Sequence, residues 1–170
     1  MDIVSHGLRG GLAFGRNTKK SFWLSFFFGI APDFFSFGLF SVMNILGFAS
    51  GPDWSQGIPD NNAVPQYVHF LYNITHSLVL FAVVFLLVWA IRKKPMYEML
   101  AWPLHILMDI PTHSTKFFAT PFFWPLSSYK VNGIPWSHPF IFFPDWILII
   151  CFYTYFFWWK KRKTSLPRKK

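Results

Sequence analysis

The stretch LHILMDIPTHS, residues 104–114, places ionisable side chains in apolar surroundings. His105 precedes Asp109 by four positions, and His113 follows Asp109 by four. Residues four apart on a helix share a face, with Cβ atoms about 5–6 Å apart, so His105 and Asp109 can both reach one metal ion. Pro111 is expected to end the helix, which leaves His113 either as a ligand from a loop or as a bystander.

The composition indicates which kind of protein must position these residues. Hydrophobic residues make up 53% of the 170-residue chain and aromatic residues 22%, more than a soluble domain of this size can bury. Charged residues make up 14%, against about 25% in an ordinary globular chain. We therefore expect an integral membrane protein. The single cysteine, Cys151, excludes an intrachain disulfide.

Four apolar stretches are long enough, or nearly so, to cross a hydrocarbon core, which takes about 20 helical residues. They are residues 21–48, 67–91, 96–113 and 139–159. Because lipid cannot satisfy backbone polar groups, helix is the state expected for each. The first stretch is over-long, and Pro32 is expected to break it into a span ending near Asp33 and a second helix along the interface.

A shorter helix is expected over residues 2–15, where glycine recurs every four residues, at Gly7, Gly11 and Gly15. That spacing allows two helix backbones to approach closely in a membrane, although a flexible glycine-rich terminus is the alternative. The predicted fold class is all-α, a polytopic membrane helical bundle of about four transmembrane spans plus a short N-terminal helix. Residues 1–159 are expected to form a single domain, followed by a basic tail over 160–170.

The basic residues predict the orientation of this bundle. They concentrate in blocks at 16–20, 92–95 and 160–170, whereas the loops at 50–66 and 114–138 carry few. The bias places the blocks and the C-terminal tail in the cytoplasm and the loops outside, in a multi-pass protein of the plasma (inner) membrane. The net charge of +9 therefore suits contact with anionic membrane lipids, and no motif accompanies it that predicts nucleic-acid binding.

Five ionisable residues fall at one depth under this topology. Counting about 1.5 Å per helical residue from the basic blocks places them about 15–24 Å from the cytoplasmic boundary, in the outer half of the bilayer. They are His6, Asp33, His76, His105 and Asp109. Ionisable groups in a membrane are costly and usually face one another or an aqueous cavity. Two Asp and three His at one level predict a site for a divalent metal, with zinc favoured, or a proton relay.

Each of these residues also has a simpler interpretation. A lone His on an apolar helix is most often a core residue with its hydrogen bonds satisfied, and that is what we expect for His69 and His138. Asp33 is alternatively a cap for a helix after Pro32. Asp145, which follows a proline near the start of the last span, is expected to cap its first turn.

A set of short motifs along the chain carries a family resemblance. In order they are SHGL (5–8), APD (31–33), THSL (75–78), LHILMD (104–109) and PFFWPLS (121–127). With these motifs the sequence resembles the YdjM-type family of membrane-bound metal-dependent hydrolases, which is itself similar to the zinc-dependent phospholipase C and single-strand nuclease superfamily. The resemblance implies metal-ligand positions at His6, Asp33, His76, His105 and Asp109, and a loop over the site at 121–127.

Two departures from the family pattern bear on the number of metal ions. The family usually has a second Asp two places after the first, where this chain has Phe35. It also often has His-Arg-Gly-x-Thr-His where this chain has Leu71-Tyr72-Asn73-Ile74-Thr75-His76. A one- or two-metal site is therefore expected, with His69 or His113 as candidate replacements for a missing ligand.

The leading functional hypothesis is a metal-dependent hydrolase whose site faces outward. Asp33 or Asp109 would act as the catalytic group that accepts a proton from the attacking water. By the resemblance, the substrate is a lipid, a lipid-linked molecule or another phosphoester. The alternatives are a proton- or metal-coupled transporter and a non-catalytic protein whose polar residues only join helices. The sequence specifies no oligomeric state.

Overall fold

The computed structural model describes residues 1–52 and 61–165. Within them the chain forms six α-helices and two short 3-10 turns, with no β-strand other than an isolated bridge between Ser114 and Phe117. The helices are α1 (Ile3–Phe14), α2 (Lys19–Ile45), α3 (Gln66–Thr75), α4 (Leu78–Arg92), α5 (Ala101–Thr112) and α6 (Pro139–Ser165). The all-α class and the short N-terminal helix are confirmed. The loop expected at 50–66 lies partly outside the described residues.

Helix α1 packs closely along α2 through glycines, as the sequence predicted. A Cβ added to Gly7 would lie 2.7 Å from the side chains of Phe26 and Ile30, and one added to Gly11 would lie 2.5 Å from Phe22. One close backbone contact was not predicted. It involves Gly29 of α2, where an added Cβ would lie 2.6 Å from the carbonyl oxygen of His6.

Helix α2 is continuous through Pro32, so the predicted break near Asp33 is wrong. Thr18 caps its first turn by accepting a hydrogen bond from the Ser21 backbone, and the helix then runs for 27 residues. A proline removes only one hydrogen bond of the ladder, and neighbouring groups can satisfy the carbonyls it frees. Asp33 is therefore an internal residue of α2 and does not cap a helix.

The stretch predicted as one span over 67–91 is instead two helices, α3 and α4, with a bend of 59° at His76 and Ser77. Several polar groups at the break have partners that lie elsewhere in the chain. Trp102 Nε1 donates to the Thr75 carbonyl at 2.6 Å, and the Leu78 N–H donates to the Phe122 carbonyl at 2.9 Å. Ser77 Oγ accepts from the Leu80 N–H at 3.2 Å and caps α4.

Helix α5 is short, at 12 residues, and follows a 3-10 turn over Tyr97–Leu100. It includes Pro111 and ends one residue later, at Thr112. Its last carbonyls, which have no helical partner, accept hydrogen bonds from a returning segment: Ile134 N–H donates to Pro111 at 3.0 Å and Trp136 N–H to Thr112 at 2.8 Å. The segment 114–138 contains no helix, as predicted, but it is bonded to the end of α5.

Two of the described helices, Lys19–Ile45 and Pro139–Trp158, are long and apolar enough to cross a membrane, or three if α3 and α4 form one bent span. Four spans are not confirmed. Helix α6 continues to Ser165, into the segment expected to be a tail. Asp145 does not cap α6, because the helix begins six residues earlier. Asp145 is buried and forms an ion pair with Arg9 of α1.

Candidate metal centre

Four predicted ligands meet in the centre of the bundle. Asp33 comes from α2, His76 from the break between α3 and α4, and His105 and Asp109 from one face of α5. One ligand atom from each residue lies within 4.8 Å of the other three. The two His and Asp109 are fully buried, whereas the Asp33 side chain is 16% exposed. This group, the metal cluster below, has the donor set and size of a single metal site.

His6 of α1 adjoins the metal cluster. Its Nε2 lies 2.9 Å from Asp109 Oδ1, and its ring stacks on His105 with centroids 3.6 Å apart. The backbone of His6 packs directly on Gly29 of α2, and this contact keeps α1 close to the metal cluster. The five residues predicted to share one depth therefore do lie together, although their role as metal ligands stays a prediction.

Hydrogen bonds outside the metal cluster orient the two central imidazoles. His105 Nδ1 lies 2.7 Å from the Gly29 carbonyl oxygen, and His76 Nδ1 lies 3.2 Å from that of Tyr72 and 3.0 Å from the Thr75 hydroxyl. A carbonyl only accepts, so His105 Nδ1 carries a hydrogen, and the Nε2 atom of each ring faces the cluster. A backbone carbonyl on the second ring nitrogen is the usual partner of a metal-binding His.

The atoms that face the centre are of the types that ligate metals. The Nε2 atoms of His76 and His105 lie 3.1 Å apart, and Asp109 Oδ2 lies 2.9 Å from the latter. Asp109 Oδ2 is buried and no hydrogen bond reaches it. Imidazole nitrogens and carboxylate oxygens this close repel one another unless a proton or a cation lies among them. A divalent metal would supply that charge, and the His and carboxylate ligands fit zinc or another first-row ion.

His113 borders the metal cluster from just beyond α5. Its Nε2 lies 3.6 Å from Asp109 Oδ1, and its Nδ1 lies 2.9 Å from both the Tyr72 hydroxyl and the Phe118 carbonyl. The Tyr72 ring also stacks on His76, with centroids 3.7 Å apart. Tyr72 thus positions two of the His residues. The sequence analysis did not predict this role. Tyr72 precedes His76 by four residues, a spacing that places it on the same side of α3.

The remaining predicted residues lie outside the metal cluster. His69 stacks on Phe118, with centroids 4.5 Å apart and rings nearly parallel, and His138 is exposed near the start of α6. His69 therefore does not replace a missing ligand in the group. Phe35, at the position of the family's second Asp, is 54% exposed on the surface of α2.

The aromatic loop at 121–127 lies against the break that carries His76. Besides the bond from Leu78 to Phe122, Ser77 Oγ donates to the carbonyl of Trp124. The loop therefore holds the bent backbone in place beside the metal cluster. The amino group of Met1 also contacts Asp109 Oδ1, a contact that no sequence pattern indicates.

No protein-family model matches this chain, and neither a curated protein nor a solved structure matches it. The geometry of the metal cluster is therefore the evidence on which a function rests.

Proposed function

We propose that this chain is a membrane-bound hydrolase that uses a divalent metal, with zinc favoured, held by the metal cluster. It would lie in the plasma membrane with its basic tail in the cytoplasm and the cluster in the outer half of the bilayer. Its four crossings would be α2, the bent pair of α3 and α4, α5 with its preceding turn, and α6. The resemblance to the YdjM-type hydrolases, stated above from five short motifs, supports the same activity.

One observation carries the proposal: ligand atoms of two His and two Asp converge within 4.8 Å of one another in a largely buried site. A cluster that only joined helices would pair donors with acceptors across the interface. Here His105 donates from Nδ1 to the Gly29 carbonyl outside the cluster, and its Nε2 faces the two carboxylates. That arrangement supports metal binding over helix association alone.

The four residues have different roles in the proposed reaction. His76, His105 and Asp109 are fully buried and would hold the ion, which supplies an activated water and polarises the scissile bond. Asp33 is the partly exposed member, with Oδ1 at 3.3 Å from His76 Nε2. Because it alone borders the accessible side, Asp33 is placed to accept the proton of the attacking water.

The surroundings of Asp33 favour a substrate with an apolar part. Phe34 and Phe35 follow it on α2 and are 52% and 54% exposed. In a bilayer these rings would face lipid at the depth of the metal cluster. We therefore propose a lipid or lipid-linked phosphoester that enters sideways from the outer leaflet.

The first test is the metal content of the detergent-purified protein, measured by elemental mass spectrometry. The wild type should carry near-stoichiometric zinc or manganese, and His105→Ala and Asp109→Asn should lose it. His138→Ala is the matched control, because this exposed His lies outside the cluster and its removal should leave the metal bound. If the wild-type protein held no metal even after metal was added back, the proposal would be wrong.

Hydrolysis of phosphoester and lipid substrates is the second test. Asp33→Asn should lower the turnover number more than it lowers metal content, since its oxygen would take the proton. A metal-loaded protein that hydrolyses none of these substrates, yet moves the metal across reconstituted vesicles, would favour a transporter instead.

A further inference from the structure

An open groove of about 550 Å³ lies between α1, α5 and α6, and none of its lining residues belongs to the metal cluster. Its walls are largely apolar, with Leu104 and Met108 from α5 and Ile149 and Phe152 from α6. The volume is within the range of about 300–1,000 Å³ that small-molecule sites occupy. Lateral access through such a groove suits a chain-like apolar ligand.

Two arginines, Arg9 and Arg16, line the same groove. The guanidinium of Arg9 forms an ion pair with the buried carboxylate of Asp145, so these two charges cancel. Arg16 is exposed, two residues beyond the end of α1. The groove therefore carries one net positive charge, located at its Arg16 end.

Arg9 also has a hydrogen-bond donor that nothing in the described residues satisfies. Its Nε is buried without a partner, although the guanidinium reaches Asp145 through Nη2. A buried donor left unpaired costs about 1–3 kcal/mol, so such groups normally meet a protein, water or ligand acceptor. This atom exposes almost no surface, so a ligand in the groove does not reach it, and Arg16 provides the accessible cation.

We propose that this groove binds one anionic phospholipid of the membrane. Arg16 holds the phosphate, and an acyl chain covers the apolar walls between α5 and α6. The single negative charge of a phosphodiester matches the single net positive charge of the groove, which a zwitterionic lipid does not. Anionic lipids are enriched in the cytoplasmic leaflet, the side on which the basic blocks place Arg16. The proposal shares with the proposed function the placement in a membrane, but not the metal.

The test is lipid retention by the purified full-length chain. The protein is exchanged into vesicles of equal phosphatidylglycerol and phosphatidylcholine, extracted in mild detergent, and its bound lipid is quantified by mass spectrometry. The wild type should retain stoichiometric phosphatidylglycerol. Arg16→Gln should retain about fivefold less, the factor expected for one basic residue near the membrane surface.

A second variant, Ala13→Phe, fills the groove without changing its charge, since Ala13 is an exposed lining residue of α1. It should also lose the lipid. Lys94→Gln is the matched control, because it removes an exposed basic residue that does not line the groove. Equal retention by Arg16→Gln and Lys94→Gln, or equal retention of both lipids by the wild type, would overturn the proposal. A groove closed by a second copy of the chain would give a lipid-free dimer and overturn it as well.

Metal content distinguishes this test from that of the proposed function. Arg16→Gln should keep the metal of the wild type, since no groove residue is a proposed ligand. Loss of lipid with the metal retained supports the groove alone. A protein that never binds metal but still selects phosphatidylglycerol through Arg16 would leave the lipid proposal standing.

Discussion

Replacing Gly29 with alanine tests whether the contact between α1 and α2 sets the geometry of the metal cluster. A Cβ added at Gly29 would lie 2.6 Å from the carbonyl oxygen of His6 and 3.1 Å from the Cα of Gly7. The carbonyl of Gly29 also accepts the hydrogen bond from His105 Nδ1 at 2.7 Å. The substitution therefore acts on His6 and His105 through the backbone, without removing a ligand.

The size of the effect follows from these distances. Ordinary contact for a Cβ begins at 3.4 Å, whereas the Cβ added at Gly29 would lie 2.6 Å from the His6 oxygen. Helix α1 must therefore move away from α2 by about 0.8 Å. Functional side chains must be held within about 0.5 Å of their productive geometry, so metal affinity should fall. Overpacking of this kind costs about 1–3 kcal/mol of the free energy of unfolding. For a chain of this length that lowers the melting temperature by about 2–12 °C.

Thermal unfolding in detergent, followed by circular dichroism, and metal content are the two measurements. Gly38→Ala, in the same helix, is the matched control because the atom nearest to its added Cβ lies at an ordinary 3.5 Å. Alanine is favoured over glycine within a helix by about 1 kcal/mol, so this variant should be as stable as the wild type or more so. If Gly29→Ala matched Gly38→Ala in both stability and bound metal, the reasoning about the α1–α2 contact would be refuted.

Three further predictions concern the ion pair, the break between α3 and α4, and the metal. Asp145→Asn leaves the guanidinium of Arg9 without its carboxylate and should cost up to about 3 kcal/mol in thermal unfolding. The double variant Arg9→Leu/Asp145→Leu should recover most of that loss, and an Asp145→Asn protein as stable as the wild type would contradict a structural ion pair. Ser77→Ala removes the cap of α4 and the hydrogen bond to the Trp124 carbonyl, and should cost about 1–2 kcal/mol; the more exposed Ser127→Ala should cost less. Zinc added to metal-free protein at 100 times its dissociation constant should raise the free energy of unfolding by about 2.7 kcal/mol, and an unchanged melting temperature would count against the metal cluster.

The class of the protein and the identity of its polar residues were accessible from the sequence. An excess of apolar residues over a short chain leaves few options other than helices in lipid, and helices are the main regular structure of the described residues. Ionisable residues stand out against such a background, and a depth count brought together five that do meet. The glycine repeat of α1 was informative for the same reason, because small residues are needed wherever two backbones touch.

The course of the backbone at Pro32 was not accessible. A proline weakens a helix locally, but whether the helix breaks depends on what the neighbouring helices offer. Here α1 packs on the turn before Pro32, His105 donates to the Gly29 carbonyl in that turn, and α2 continues through the proline. The break at His76 shows the converse, since no proline or glycine marks it. Trp102 and Phe122 satisfy the backbone there, and both are remote from His76 in the sequence.

The sequence by itself therefore determined the all-α class, the presence of helices apolar enough to cross a membrane, the glycine contact and the candidate ligands. Each of these depends on local spacing and on the cost of a polar group among apolar ones. Only the tertiary structure decided where the helices bend, that Asp145 pairs with Arg9, and which imidazole nitrogens face the metal cluster. Those features depend on partners that are distant along the chain. No sequence pattern shows which backbone carbonyl a His side chain will meet. Here the Gly29 carbonyl of α2 orients His105, and the Tyr72 carbonyl of α3 orients His76.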